Sequence, residues 1–256
     1  MCYNVNYLTK KRIEYAKRLG GLIDEEDLDN DFDEILSKNI PRYYATGFEH
    51  PDLPVITNED PHKLQMFSWG LIPFWVKDPK QAIMLSNKTL NARGEEMFDK
   101  PSFRNSARNK RCLVLIDGFF EYHWYDGKAY PYYIQLKNGE PMVMAGLWES
   151  WHYPKENIHR YSLSIVTTAA NGLMSYIHNK PAGSQEPRMP VILSRENENK
   201  WLIDIQAKID QEQIQTLIQP YEESEMVGYT VPKLKGKDGI GNIKDAIREF
   251  RYSELE

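Results

Sequence analysis

The spacing of apolar residues changes character near residue 64. Before it, residues 7–19 interleave Lys and Arg with Leu, Ile and Tyr at helical spacing, and the acidic run that follows predicts a second short helix ending near Ile40. After it, short apolar runs predict strands over Leu64–Trp69, Arg111–Tyr122, Tyr132–Leu136, Pro141–Trp148, Tyr161–Thr168 and Pro190–Leu193. Asp126-Gly127 and Asn138-Gly139 lie between such runs and read as hairpin turns, since these residue types tolerate the positive φ a tight hairpin needs. Glu196–Ile203 and Gln211–Leu217 return to helical spacing, and Glu225–Val231 reads as a last strand. Lys235–Asn242, with three glycines among Lys, Asp and Asn, reads as a loop. Strands in hairpin order with peripheral helices predict an α+β fold, one domain over residues 1–256 around a mainly antiparallel, barrel-like sheet.

Composition supports a packed core: 41% of the 256 residues are hydrophobic and 12% aromatic, with 16 tyrosines. No apolar run approaches the roughly 18 residues of a membrane helix, and the N-terminus carries no basic-then-apolar signal. With only two cysteines, Cys2 and Cys112, no disulfide scaffold is expected. The expectation is a protein of a reducing compartment, the cytoplasm, associated with the nucleoid if bacterial, with no membrane partner.

The net charge of -5 disfavours a strongly basic nucleic-acid binder, yet the charge is unevenly placed. Residues 24–34 hold eight acids in eleven positions, whereas residues 100–111 hold five bases and no acid. The acidic run is not a calcium loop. A loop starting at Asp27 would put Phe32 where a Gly is needed and Lys38 where a Glu is needed.

Cys2 is the candidate nucleophile. Removal of Met1 would leave an α-amine and a thiol on adjacent carbons, with ordinary pKa values of about 7.7–8.0 and about 8.5, so both are expected to have reactive fractions near neutral pH. An aldehyde forms an imine with the amine, and the thiol then closes a durable five-membered thiazolidine. Alone, a second-position Cys carries little weight.

Further motifs follow in order. Trp69-Gly-Leu-Ile-Pro-Phe-Trp75 precedes Asn91-Ala-Arg93-Gly-Glu95 and Pro101-Ser-Phe-Arg104. Arg111-Cys-Leu-Val-Leu-Ile-Asp117-Gly-Phe-Phe-Glu121-Tyr and Ala145-Gly-Leu-Trp148-Glu149 come next. Thr167-Thr-Ala-Ala-Asn171, His178 and Arg188-Met-Pro-Val-Ile-Leu193 complete the set. With the N-terminal Met-Cys, this ordered set resembles the SOS response-associated peptidase (SRAP) family, which shields abasic sites in single-stranded DNA. The resemblance runs from Cys2 to about residue 232.

The resemblance implies a covalent link between Cys2 and the sugar aldehyde, with neither metal nor organic cofactor. It implies that Asn91 holds the amine or the opened sugar, that Glu121 shuttles protons, and that His178 protonates the sugar ring oxygen. On the residues alone, Asn91 reads equally as a turn residue, Glu121 as an ordinary strand end and His178 as a core or surface histidine. For DNA, Arg93 and Arg104 would grip phosphates and Trp75 would stack on an unpaired base. Trp69, Trp148 and Glu149 read as structural, Cys112 as buried and inert, and Asp117-Gly118 as a turn. A limited lyase activity is compatible with the imine, and self-removal of Met1 is one meaning of the family's name.

The chain departs from the family pattern in several places. It begins Met1-Cys2-Tyr3-Asn4 where Met-Cys-Gly-Arg is usual, has Tyr44 at the end of the usual Pro-Arg-Tyr-Asn, and has Tyr122 where Trp is usual. The segment between His178 and Arg188 is longer than common, and the acidic run looks like an addition. Two other readings remain open: an N-terminal-nucleophile hydrolase acting on an amide, and a single-strand binding module independent of Cys2.

Overall fold

Strands begin far earlier than the apolar pattern predicts. The structure, a computed structural model, describes residues 2–10, 12–19, 25–38, 41–180 and 186–255. Within them β1 (Asn4–Tyr7), β2 (Arg42–Thr46) and β3 (Asp52–Thr57) precede β4 (Gln65–Trp69). The helices expected there are α1 (Arg12–Leu19) and α2 (Glu25–Lys38). The first is shorter than residues 7–19 because Tyr7 belongs to β1, and Ile40 lies outside the described residues.

The next elements are α3 (Pro79–Ser86), β5 (Asn91–Arg93), α4 (Arg104–Asn109), β6 (Arg111–Ile116), β7 (Gly118–Tyr125) and β8 (Lys128–Leu136). After them come β9 (Met142–Tyr153), β10 (Ile158–Ala169), α5 (Gly172–Ile177), β11 (Arg188–Pro190), α6 (Arg195–Leu202), α7 (Lys208–Thr216) and β12 (Met226–Thr230).

The strands form two sheets. In one, β10, β4, β3, β6 and β9 follow in order and β9 pairs back onto β10, which closes a five-strand barrel. Its pairs are antiparallel except β10 with β4, and β5 joins β10 in parallel. The other sheet runs β12-β8-β7-β1-β2, entirely antiparallel. β6 (RCLVLI) is buried at every position, as a strand covered on both faces must be.

Two turns differ from expectation in an instructive way. Asp126 (φ 47) and Gly127 (φ 72) do close the β7–β8 hairpin, in the left-handed conformations such a turn requires. Asn138-Gly139 closes no hairpin: β8 pairs with β7 and β12, while β9 pairs with β6 and β10, so this turn passes the chain between sheets. The single run expected over Arg111–Tyr122 likewise splits at Asp117 into β6 of the barrel and β7 of the other sheet. Buried Asp117 pins that corner. Its carboxylate accepts Thr9 N at 2.7 Å, Thr9 Oγ1 at 2.8 Å and the Tyr15 hydroxyl from α1. Gly118 permits the bend, because a Cβ there would run into the Tyr133 hydroxyl, which bonds Asp117 O at 3.2 Å. No described helix is long and apolar enough to cross a membrane.

Candidate functional site

Cys2 enters the fold two residues ahead of β1, which lies between β7 and β2. The backbone is held at once: Gly47 N donates to Tyr3 O at 2.8 Å. Cys2 is 1% exposed, and its Sγ lies 3.9 Å from Asn4 O. Burial, and secondly the charge of Glu121, push the Cys2 thiol up to about 12. The expectation of a partly ionised thiol concerned the chain without Met1; with Met1 in place, burial holds this sulfur as S–H at neutral pH. Cys112 is also free and fully buried in β6, and burial raises its thiol too.

Asn91 reaches Cys2 from the other sheet. It opens β5, whose parallel pairing with β10 (Ile165↔Asn91) fixes its direction. Its Nδ2 donates to Cys2 O at 2.7 Å. Its Oδ1 is buried with no hydrogen-bond partner among the described residues, which leaves one strong acceptor beside the Cys2 backbone.

Glu121 comes from β7 and His178 from the end of α5, with Oε2 and Nδ1 3.5 Å apart. The Thr167–Asn171 motif explains how His178 gets there. Thr167 and Thr168 lie buried in β10, and Asn171 caps the following helix, its side chain accepting Met174 N at 2.9 Å. One short helix later, His178 N closes the C-terminal turn onto Met174 O at 2.7 Å. Burial lowers the His178 pKa, and the attraction of Glu121 offsets this only in part. The imidazole is thus neutral at neutral pH. The lengthened segment after His178 falls largely on residues 181–185, outside the described ones.

A cleft of about 350 Å³ opens over this pair, with Tyr3, Tyr122, Trp124 and Lys180 among its walls. Lys180 Nζ sits 5.2 Å over the Trp124 ring. Sequence reasoning missed all four as site residues. Tyr3 and Tyr122 were visible only as departures from a motif, and Trp124 and Lys180 lie in no motif at all.

The structure thus brings Cys2, Asn91, Glu121 and His178 together. Trp75 and Arg104 lie elsewhere, lining with Phe74, Pro101 and Arg108 a shallow hollow of about 220 Å³. Trp75 is 39% exposed and donates from Nε1 to Pro101 O at 3.3 Å. Arg93 is two residues along β5 from Asn91 and 3.8 Å from Glu96 Oε1. Trp69 is fully buried and bonds Leu90 O at 2.8 Å, as its structural reading expects. Buried Glu149 accepts Asn105 Nδ2 at 2.9 Å and Lys110 Nζ at 2.7 Å. No grouping of three or more His, Cys, Asp or Glu that could hold a metal ion occurs among the described residues.

A family model described as "SOS response associated peptidase (SRAP)" matches residues 1–237. The abasic site processing protein YoqW of Bacillus subtilis is 37% identical over 216 residues, covering 80% of this chain and 90% of that protein. The abasic site processing protein HMCES of Xenopus tropicalis is 34% identical over 158 residues, covering 54% of this chain and 44% of that one. Among solved structures, a protein from Bacteroides thetaiotaomicron superposes with a TM-score of 0.82 at 31% identity, covering 98% of this chain and 100% of that one.

Proposed function

Because the chain belongs to the SOS response associated peptidase (SRAP) family, we propose that it processes abasic sites in single-stranded DNA by linking Cys2 covalently to the sugar aldehyde. Relatives named abasic site processing proteins support the substrate. The observation that carries the chemistry is the convergence of a buried second-position Cys, the Asn91 amide on its carbonyl, and the Glu121–His178 pair at 3.5 Å.

The reaction follows from these groups. The closed sugar must first open. Neutral His178 takes the proton of the C1 hydroxyl and, once charged, returns it to the ring oxygen, which frees the aldehyde. After Met1 is removed, the α-amine of Cys2 adds to that carbon, and loss of water with Glu121 as proton carrier leaves an imine. The Asn91 Oδ1 acceptor holds the amine N–H during addition. The thiol then adds across the C=N bond: sulfur bonds to carbon and its proton passes to nitrogen. The resulting thiazolidine shields the strand from β-elimination, and any escape from the imine stage appears as weak lyase activity. No metal or organic cofactor enters the scheme. Arg93 and Arg104 grip phosphates, and Trp75 stacks on a base, at the strand's approach to the site.

The test mixes Met-free protein, verified by mass, with a single-stranded oligonucleotide carrying one abasic site and runs a denaturing gel. A band that survives heat and is absent in Cys2→Ala is the expected result. The absence of any such band, or turnover of amide substrates without a DNA adduct, would overturn the reading in favour of an amide hydrolase.

A further inference from the structure

We propose that Tyr44 is a positioning residue for the thiol step, acting through its hydrogen bond to Asn4, whose backbone carbonyl faces the Cys2 sulfur. The inference rests on the covalent reading above. Tyr44 stands on β2 and is 8% exposed. Its hydroxyl donates to Asn4 Oδ1 at 2.9 Å and interacts electrostatically with the Tyr122 hydroxyl. Tyr122 is the neighbour of Glu121 and lines the same cleft as His178.

Asn4 is the pivot. It is 7% exposed, pairs through its backbone with Thr46 on one side and Phe120 on the other, and presents its carbonyl to the Cys2 thiol. Cys2 itself precedes the strand and has no ladder partner. Its place depends on Asn91 at its carbonyl and on Asn4 at its sulfur. Removing the Tyr44 hydroxyl leaves the buried Asn4 oxygen without its donor, so the side chain turns to find another and the carbonyl facing the sulfur shifts with it. The ring of Tyr44 is held independently, edge-on to Phe120 at 5.3 Å and under Lys235 Nζ at 5.7 Å. Tyr44→Phe therefore deletes the hydroxyl and keeps the packing. Burial raises the pKa of Tyr44 and Tyr122 alike, so both hydroxyls keep their protons at neutral pH.

The two covalent steps make different demands. The amine step needs the backbone nitrogen, whereas ring closure needs sulfur within roughly 3–3.5 Å of the imine carbon. A misplaced sulfur slows the second step alone.

The experiment reads both steps in Met-free Tyr44→Phe on abasic single-stranded DNA. Borohydride reduces the imine to an amine and so traps the first step, and heat-stable adduct formed without borohydride reports the second. We expect trapping within about twofold of wild type and ring closure slowed about 10-fold or more, given that a displacement near 1 Å costs about 10²-fold. Tyr122→Phe, which leaves the Tyr44–Asn4 bond in place, should show a smaller loss of the same kind and guards against a folding defect in Tyr44→Phe. Unchanged ring closure in both variants, or equal losses in both steps, overturns the assignment. A wild-type protein that forms no adduct overturns the covalent function instead, and this role with it.

Discussion

At the scale of single residues, the environment of Cys2 inverts the usual picture of a reactive cysteine. Activated thiols sit in electropositive, partly exposed surroundings that favour the thiolate. Here burial comes first and the Glu121 carboxylate second, and both favour S–H. That suits ring closure on an imine, where the thiol proton is needed on nitrogen and the electrophile is already in place. It also has a consequence for stability. The folded thiol, at about 12, lies above the unfolded value of about 8.5, so the folded state holds its proton over a range where the unfolded state releases it. This contribution is complete below about pH 8.5 and is lost as pH climbs toward the folded value. Denaturant midpoints between pH 8 and pH 10.5 should therefore fall, and less steeply in Cys2→Ala; identical slopes would show that Cys2 is not the titrating group.

At the scale of elements, the site is assembled where short pieces end. Asn91 opens a three-residue strand, His178 ends a six-residue helix, and Cys2 lies just before a four-residue strand. Pieces this short have little stability of their own and depend on clamps. Arg111 is such a clamp for two short helices, α4 and α6. It is fully buried, and its guanidinium donates to Ala107 O and Arg108 O at the end of α4, to Trp201 O within α6, and to Ile203 O just beyond it. Carbonyls at a helix C-terminus have no partner within the helix, and one planar cation serves those of two helices here. Burial lowers its pKa to about 10, which still leaves it charged at neutral pH. Arg111→Met should cost about 3 kcal/mol or more, since each charge-assisted bond contributes about 1.5–3 kcal/mol. In a chain of this size that is a fall in Tm of at least about 6 °C by thermal melt; a shift under 2 °C would contradict the clamp.

At the scale of the whole molecule, the question is how a chain of net charge -5 holds DNA. The basic stretch at residues 100–111 promises five cations, and the fold spends most of them elsewhere. Arg111 is internal, Lys110 is bonded to Glu149 at 2.7 Å, and Lys100 pairs with Glu96 at 3.3 Å. Arg104 and Arg108 remain in the hollow beside Trp75. The two proposed phosphate contacts, Arg93 and Arg104, give on a single strand a slope of log affinity against log salt near -1.4, and each removed contact lowers its magnitude by about 0.7. Arg104→Ala should show that drop in fluorescence anisotropy titrations with the non-covalent Cys2→Ala protein. An unchanged slope would remove Arg104 from the DNA path.

The α+β class, most of the strands after residue 64 and the α6 helix were legible in the chain, because apolar periodicity acts over short separations, whereas Cys2, Asn91, Glu121 and His178 were singled out only by a resemblance of ordered motifs. The first strands were not. β1 (NVNY) carries two asparagines whose buried side chains find partners from distant elements, Asn4 from Tyr44 at 2.9 Å and Asn6 from Tyr133 and Arg42 O, each at 3.1 Å. β3 carries Pro54, a residue that usually argues against a central strand; it faces Met66 of β4 and lies just before the pairing with β6 begins at Val55. Whether a strand pairs with its neighbour in sequence was equally hidden: Asp126-Gly127 closes a hairpin and Asn138-Gly139 crosses between sheets, although the two dipeptides have the same turn chemistry. The departures at Asn4 and Tyr44 read as unrelated changes along the chain, and folding joins them by a hydrogen bond of 2.9 Å. Side-chain chemistry is a property of each residue, so what Cys2, Asn91 and Glu121 could do was readable from their letters, while their selection rested on the resemblance carried by the ordered motifs. Their proton states, spacing and partners depend on contacts between residues 40 to 90 positions apart, such as Asn4 with Tyr44 and Cys2 with Asn91, and those exist only once the two sheets have closed around them.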